Sequence, residues 1–169
     1  MTTSNLRVSA GYHQYWLEWA EWDPDAIPFT GGNGLVWVSP GRLVVMTGVD
    51  SGDIAVEIEV TDQPPPPDLD DWDDAVEVSA DITGTTVGLS VPVGIPVTEL
   101  RLPAPGPYRF RIHARGRDAG QDAEYIDADE GDAMVEHHKI QIWPAPPAAE
   151  TRLKLTDTVG ADNRTHTRT

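Results

Sequence analysis

Two carboxylate-dense stretches are the first places where this chain could do chemistry. They are Asp68-Leu69-Asp70-Asp71-Trp72-Asp73-Asp74 and Asp127-Ala128-Asp129-Glu130-Gly131-Asp132. Oxygens at such spacing can bind a cation, share a proton or offer negative charge to a partner. An EF-hand calcium loop needs Gly at its sixth position and Glu at its twelfth. Counted from Asp127, Gly131 falls fifth and the twelfth residue is His138, so this stretch reads as a solvated acidic loop. His137 and His138 are adjacent in a predicted strand, where their side chains take opposite faces and do not chelate one ion. A zinc site would have to join His113 to His137 across strands, with a carboxylate as third ligand. Glu57/Glu59 and Asp71/Asp73 are close carboxylate pairs, but among 28 acids such pairs arise by chance. No GxSxG elbow and no Walker lysine are present, and Gly31-Gly32-Asn33-Gly34 lacks the spacing of a phosphate cradle. The sequence contains no cysteine, which excludes thiol catalysis, disulfides and thiolate metal sites. The expectation is a protein that is not an enzyme and needs no cofactor or metal.

Charge carries more information than any motif. Lys and Arg number 12, so the 169-residue chain has a formal charge of −16. The signs are segregated. Leu43 through Leu100 holds 13 acids and no base. Arg101 through Arg117 holds Arg101, Arg109, Arg111, Arg115 and Arg117 with no acid. Asp118 through Glu136 holds eight acids and no base. Phosphate binding needs clustered cations, so nucleic acid and anionic membrane are not expected partners. Two fates are open for the acids: pairing with the arginines across a sheet, at roughly 0.2–1 kcal/mol per pair, or recognition of a basic protein.

Positioning falls to β-strands, because the hydrophobic period is two. Ile54 to Val60, Ala75 to Ile82 and Tyr108 to Arg115 alternate cleanly, the last with Arg109, Arg111, His113 and Arg115 on one face. Further strands are expected over Tyr12 to Trp19, Leu35 to Val38, Arg42 to Thr47, Thr85 to Ser90, Thr98 to Leu102 and Val135 to Trp143. Trp16 and Trp22 would share a face and Trp19 take the other, either as sheet packing or as an aromatic anchor surface. Helix is expected only as a short turn within Asp70 to Ala75 or Gln121 to Tyr125. Gln63-Pro64-Pro65-Pro66-Pro67 reads as an extended crossover between sheets. The fold class expected is all-β, a single antiparallel β-sandwich of jelly-roll or Greek-key type with few or no helices. One domain would span 1–155, followed by a disordered C-terminal tail over 156–169. Met1 to Gly11 lacks the apolar core of a signal peptide, and no apolar run approaches a membrane span, so a cytoplasmic location is expected.

Pro107-Tyr108-Arg109-Phe110-Arg111-Ile112-His113-Ala114-Arg115-Gly116-Arg117-Asp118, followed by Val135-Glu136-His137-His138-Lys139-Ile140-Gln141-Ile142-Trp143-Pro144, resembles a group of uncharacterised acidic, β-rich bacterial proteins of actinobacterial type. More loosely, it is similar to the competence-J type of small acidic nuclease inhibitor and to toxin immunity proteins. The likeness covers about a quarter of the chain and implies a β-rich binding protein, with no catalytic residue carried over.

The function expected is therefore a non-catalytic, acidic protein-interaction module, an inhibitor or immunity protein for a basic nuclease or toxin. Asp70, Asp71, Trp72, Asp73, Asp74, Asp127, Asp129, Glu130 and Asp132 are the expected partner-binding residues. The alternatives are a structural or assembly component, such as a phage or particle subunit, and a small-molecule or sugar-binding sandwich.

Overall fold

Alternating apolar residues become twelve strands in a computed structural model that describes residues 1–22 and 32–165. In chain order they are β1 (Thr2–Ala10), β2 (Gln14–Glu18), β3 (Val36–Ser39), β4 (Arg42–Met46), β5 (Ser51–Val60), β6 (Asp74–Ile82), β7 (Thr86–Ser90), β8 (Thr98–Arg101), β9 (Gly106–Arg115), β10 (Tyr125–Ile126), β11 (His137–Pro144) and β12 (Thr151–Leu155). Two short helices, α1 (Arg117–Ala123) and α2 (Thr158–Thr165), and one 3-10 turn, Ala128–Glu130, complete the described structure. No described helix is long and apolar enough to cross a membrane.

The strands form two sheets around one core. The larger is ordered β1-β5-β11-β9-β6-β12, with β10 also on β5, and the smaller β3-β4-β2-β7-β8. Tyr15, Leu17, Leu43, Val45 and Leu89 of the smaller sheet meet Val8, Ile54, Val56, Ile58, Val76, Phe110, Ile112 and Ile140 of the larger. Trp19 stacks on Phe110 inside, while Trp16 and Trp22 flank the Arg42 guanidinium at 3.8 and 4.2 Å on the opposite face.

The single antiparallel sandwich is corrected here, because the larger sheet is mixed. β11 and β10 both run parallel to β5. Parallel strands need a crossover of about a dozen residues or more, and residues 61–73 supply it. They join two strands of one sheet, β5 and β6, passing β11 and β9; they do not cross between sheets. Proline has no N–H to satisfy, and the Pro65 carbonyl accepts from Arg111 Nη1 at 2.9 Å. The return from β11 to β12 roofs the same face, where Arg109 donates to the Ala148 and Ala149 carbonyls. Arg109, Arg111 and His113 do take the outward side of β9, but the two crossovers bury them.

Three local expectations also change. Asp70 to Ala75 is turn and strand, and α1 begins at Arg117, so it covers only part of Gln121 to Tyr125. The segment after residue 155 is not a loose tail, since it carries α2, with Val159 buried. Residues 166–169 lie outside the described residues.

A buried arginine secures that segment. Arg117, wholly buried, donates to Asp157 from Nε at 2.6 Å and from Nη2 at 2.8 Å, and to Asp74 Oδ2 at 3.0 Å. Its Nη1 donates to the Gly34 carbonyl at 2.8 Å. Asp74 Oδ1 accepts the Thr156 and Asp157 amides. Burial pushes the Asp74 carboxyl above its ordinary value despite the adjacent guanidinium. One side chain therefore ties α1, β6, the β3 approach and the C-terminal segment together. A Cβ on Gly48 would collide with the Arg117 carbonyl, so that position accepts only glycine. Removing one partner of a buried ion pair leaves an uncompensated charge. Arg117→Ala is expected to cost about 3–5 kcal/mol in urea unfolding; a loss below about 1 kcal/mol would show that the cluster is not a structural hub.

Candidate interaction site at one end of the larger sheet

The registers place both acidic stretches at the same end of the larger sheet. Asp74 at the start of β6 faces Ala114 near the end of β9, and His137 at the start of β11 faces Arg115. β11 runs parallel to β5, whose first residues pair with β10. The 68–73 turn therefore enters at β6 and the 127–132 loop sits at the start of β5. Strands lie about 4.8 Å apart, so three spacings separate these two points by roughly 14 Å.

The expected partner-binding residues divide by environment. Asp70 and Asp71 are exposed in the turn before β6. Trp72 is half-buried, tilted on the His113 ring at 5.2 Å, with the Arg115 guanidinium 5.1 Å from its own ring. Asp73 Oδ2 accepts the Gly116 amide at 2.9 Å and is half-buried. Asp74 is the correction, because a wholly buried carboxylate held by Arg117 and two amides offers no partner surface.

Asp127 caps the 3-10 turn, its side chain accepting from the Asp129 and Glu130 amides. Asp132 Oδ2 accepts the Asp127 amide at 3.0 Å, and Gly131 closes the turn at φ 95°. Thus Asp127 and Asp132 fold the loop as side-chain caps, while Asp129 and Glu130 are exposed. No group of three or more His, Asp or Glu among the described residues is arranged to hold a metal ion.

Most sheet-face acids are neutralised. Glu77 takes Arg109 at 3.3 Å and Arg111 at 2.8 Å, and Glu57 and Glu59 lie 3.8 and 3.2 Å from Lys139. Glu18 pairs with Arg42. Among the described residues, no ion pair engages Asp70, Asp71, Asp122, Glu124, Glu130 or Asp132. Asp129 meets Arg7 at 2.9 Å in an exposed pair. On the strands most negative charge is therefore cancelled, with Asp53, Asp81 and Glu99 in no ion pair among the described residues, while the acids of the two loops are left mostly unpaired.

The same end displays apolar side chains that sequence reasoning missed. Among the described residues, and apart from Met1, the exposed large apolar residues are Tyr12 (69%), Val93 (70%), Ile95 (84%) and Tyr125 (58%). The β1–β2 turn carries Tyr12, and His13 donates its amide to the Asp50 carbonyl. The Asp50 and Ser51 amides in turn donate to the Glu124 carbonyl, beside Tyr125. A Cβ on Gly11 would touch Pro92, which brings the β7–β8 loop to this turn. A groove of about 530 Å³ runs between that loop and Arg7, Asp53, Tyr125, Asp127 and Asp129. A signal existed in Val91-Pro92-Val93-Gly94-Ile95-Pro96-Val97, where Pro and Gly bar a central strand and so display the apolar residues between them.

Beneath this rim lies a buried polar chain. Glu136 accepts the Gly48 and Val49 amides, at 3.1 and 2.9 Å, and lies 2.7 Å from His138 Nε2. His138 Nδ1 is 2.9 Å from the Tyr15 hydroxyl. Burial first, and the Glu136 charge second, push the Tyr15 hydroxyl well above its ordinary range. The order Glu–His–Tyr matches a proton relay, but Tyr15, Glu136 and His138 are buried and the carboxylate is committed to backbone amides. The arrangement fastens β2, the Thr47–Val49 turn and β11 together. His137, by contrast, is half-buried on the opposite face.

By fold, the chain is a two-sheet β protein whose larger sheet is mixed. In solved structures it is similar to ComJ from Bacillus subtilis, inhibitor of the DNA degrading activity of NucA, with TM-score 0.52 and 13% identity over 84% of this chain and 96% of that one. A second likeness is to a protein described as crocagin biosynthetic gene J, with TM-score 0.49 and 13% identity over 86% and 98%. No family model matches the sequence and no curated protein matches it.

His113 reports on the rim. Burial, joined by the Arg111 and Lys139 charges, depresses its imidazole to about 4. The unfolded chain takes up this proton first, so the contribution is full above the unfolded value of about 6.5 and is lost as pH falls towards about 4. The effect is on the order of 3 kcal/mol. Urea unfolding from pH 7 to 4 is expected to show a shallower decline for His113→Asn than for wild type; parallel curves would mean that this imidazole is not held neutral.

Proposed function

We propose that the protein is a non-catalytic inhibitor of a basic protein, a nuclease or a nuclease-type toxin, which it engages through the carboxylate rim. One observation carries the reading: most acids on the sheet faces are paired, whereas Asp70, Asp71, Asp129 and Glu130 of the 68–73 and 127–132 segments stand exposed at one end of one sheet. A nuclease holds DNA phosphates in a cationic cleft. Exposed carboxylates on a fixed scaffold complement such a cleft and compete with phosphate there. Charge of this kind raises the association rate more than final affinity and makes binding sensitive to salt. The ComJ-like fold supports an inhibitor, since that neighbour restrains a DNA-degrading enzyme.

Asp70, Asp71, Asp129 and Glu130 supply accessible charge, Asp127 and Asp132 shape their loop, and Trp72, within the 68–73 segment, is the anchor packed on His113 and Arg115. Affinity capture from native lysate tests the reading. Material bound at low salt and released at high salt is expected to degrade DNA, and adding the protein back is expected to suppress that degradation. The reversal D70K/D71K/D129K/E130K is expected to reduce capture at least tenfold. Released material without nuclease activity, or capture indifferent to both salt and reversal, would overturn it.

A further inference from the structure

Arg7 occupies an unusual place, because it is this chain's own cation in the acidic groove. Its Nη1 donates to Asp129 at 2.9 Å, and the Asp53 and Asp127 charges also act on it. Val8 and Ala10 point into the core, so Arg7 and Ser9 take the outward side of β1. Both partners of the ion pair are largely exposed, at 47% and 77% of their side chains. An exposed pair of this kind is worth little, with a median of about 0–1 kcal/mol, and exchanges readily. Opposite it stand Val93 and Ile95, which are exposed although nothing in the fold requires them to face water.

We infer that this groove is a docking site for a basic protein segment. An arginine or lysine of the segment takes the place of Arg7 against Asp53, Asp127 and Asp129, and a neighbouring apolar side chain lands on Val93 and Ile95. The inference deepens the inhibitor reading and rests on it for the identity of the partner. Charge complementarity selects the occupant: three carboxylates line one wall and two exposed aliphatic side chains the other. A few well-packed residues near the centre of an interface supply most of its affinity, arginine prominent among them, while surrounding charges steer the encounter. Arg7 is then a built-in competitor, holding the carboxylates until a stronger cation arrives.

The probes are two peptides of equal charge, one alternating arginine with leucine and one of arginine alone, titrated by fluorescence anisotropy. Wild type is expected to bind the arginine–leucine peptide about tenfold more tightly. V93S/I95S is expected to erase that preference and keep the arginine-only affinity. Arg7→Ala is expected to tighten both peptides several-fold, and Asp129→Asn to weaken both. All four substituted positions are exposed, so unchanged urea midpoints confirm intact folds. Equal affinity of wild type for the two peptides, a preference that survives V93S/I95S, or weaker binding by Arg7→Ala would each overturn the inference. The nuclease capture assay separates the two levels. Capture lost on rim reversal but untouched by V93S/I95S sinks the groove alone; absence of nuclease activity beside an intact peptide preference sinks the inhibitor reading alone.

Discussion

The Arg117 guanidinium is the interaction on which the rest of the arrangement depends. Four segments distant in sequence meet it: α1 from which it projects, the start of β6 through Asp74, the approach to β3 through the Gly34 carbonyl, and the C-terminal segment through Asp157. A charge with no exposed surface is tolerated only when its donors are satisfied. The surrounding backbone is consequently held to one geometry, including the tight approach of Gly48 to the Arg117 carbonyl. The adjacent Glu136–His138–Tyr15 chain does the same for the Thr47–Val49 turn. Both clusters lie at the end of the sheet from which the acidic segments emerge, so those segments spring from a rigid base.

Charge is sorted by a simple rule. Most acids that alternate outward along strands find a base on the neighbouring strand, as Glu77 finds Arg111 directly across and Arg109 on the diagonal, and Glu59 finds Lys139 on the diagonal. Acids in turns have no cross-strand neighbour. Some become caps, which is why Asp127 and Asp132 spend their oxygens on amides. Others, such as Asp70, Asp71, Asp129 and Glu130, face solvent, and Asp129 shares a groove with Val93, Ile95 and Tyr125. Exposed charge and exposed apolar area thus meet at one end of the fold, which is where the proposed docking site lies.

Much of the architecture was legible in order. The three strands of clearest alternation emerged as β5, β6 and β9, and the aromatic, turn-bounded and Trp-Pro-terminated stretches as β2, β3, β4 and β11. β1 was equally readable in principle, since Leu6, Val8 and Ala10 alternate with Arg7 and Ser9, but its polar first residues hide the pattern. β12 was not, because an edge strand with a bulge buries too little to show a period. Of the candidate site, the exposed acids were visible as composition. Asp74 was indistinguishable from Asp73 until its burial beneath Arg117 separated them.

The amino-acid sequence alone determined that strands would dominate, that one strand would carry arginines on a single face, and that acids would gather in two segments. Those properties follow from local periodicity and from charge along the chain, which need no knowledge of neighbours. Only the tertiary structure decided which acids are spent and which remain, where the polyproline crossover lies, and that distant turns share one rim. Pairing across a sheet, desolvation of an arginine and the direction of β11 are set by contacts between residues far apart in the chain. A one-dimensional pattern does not contain them.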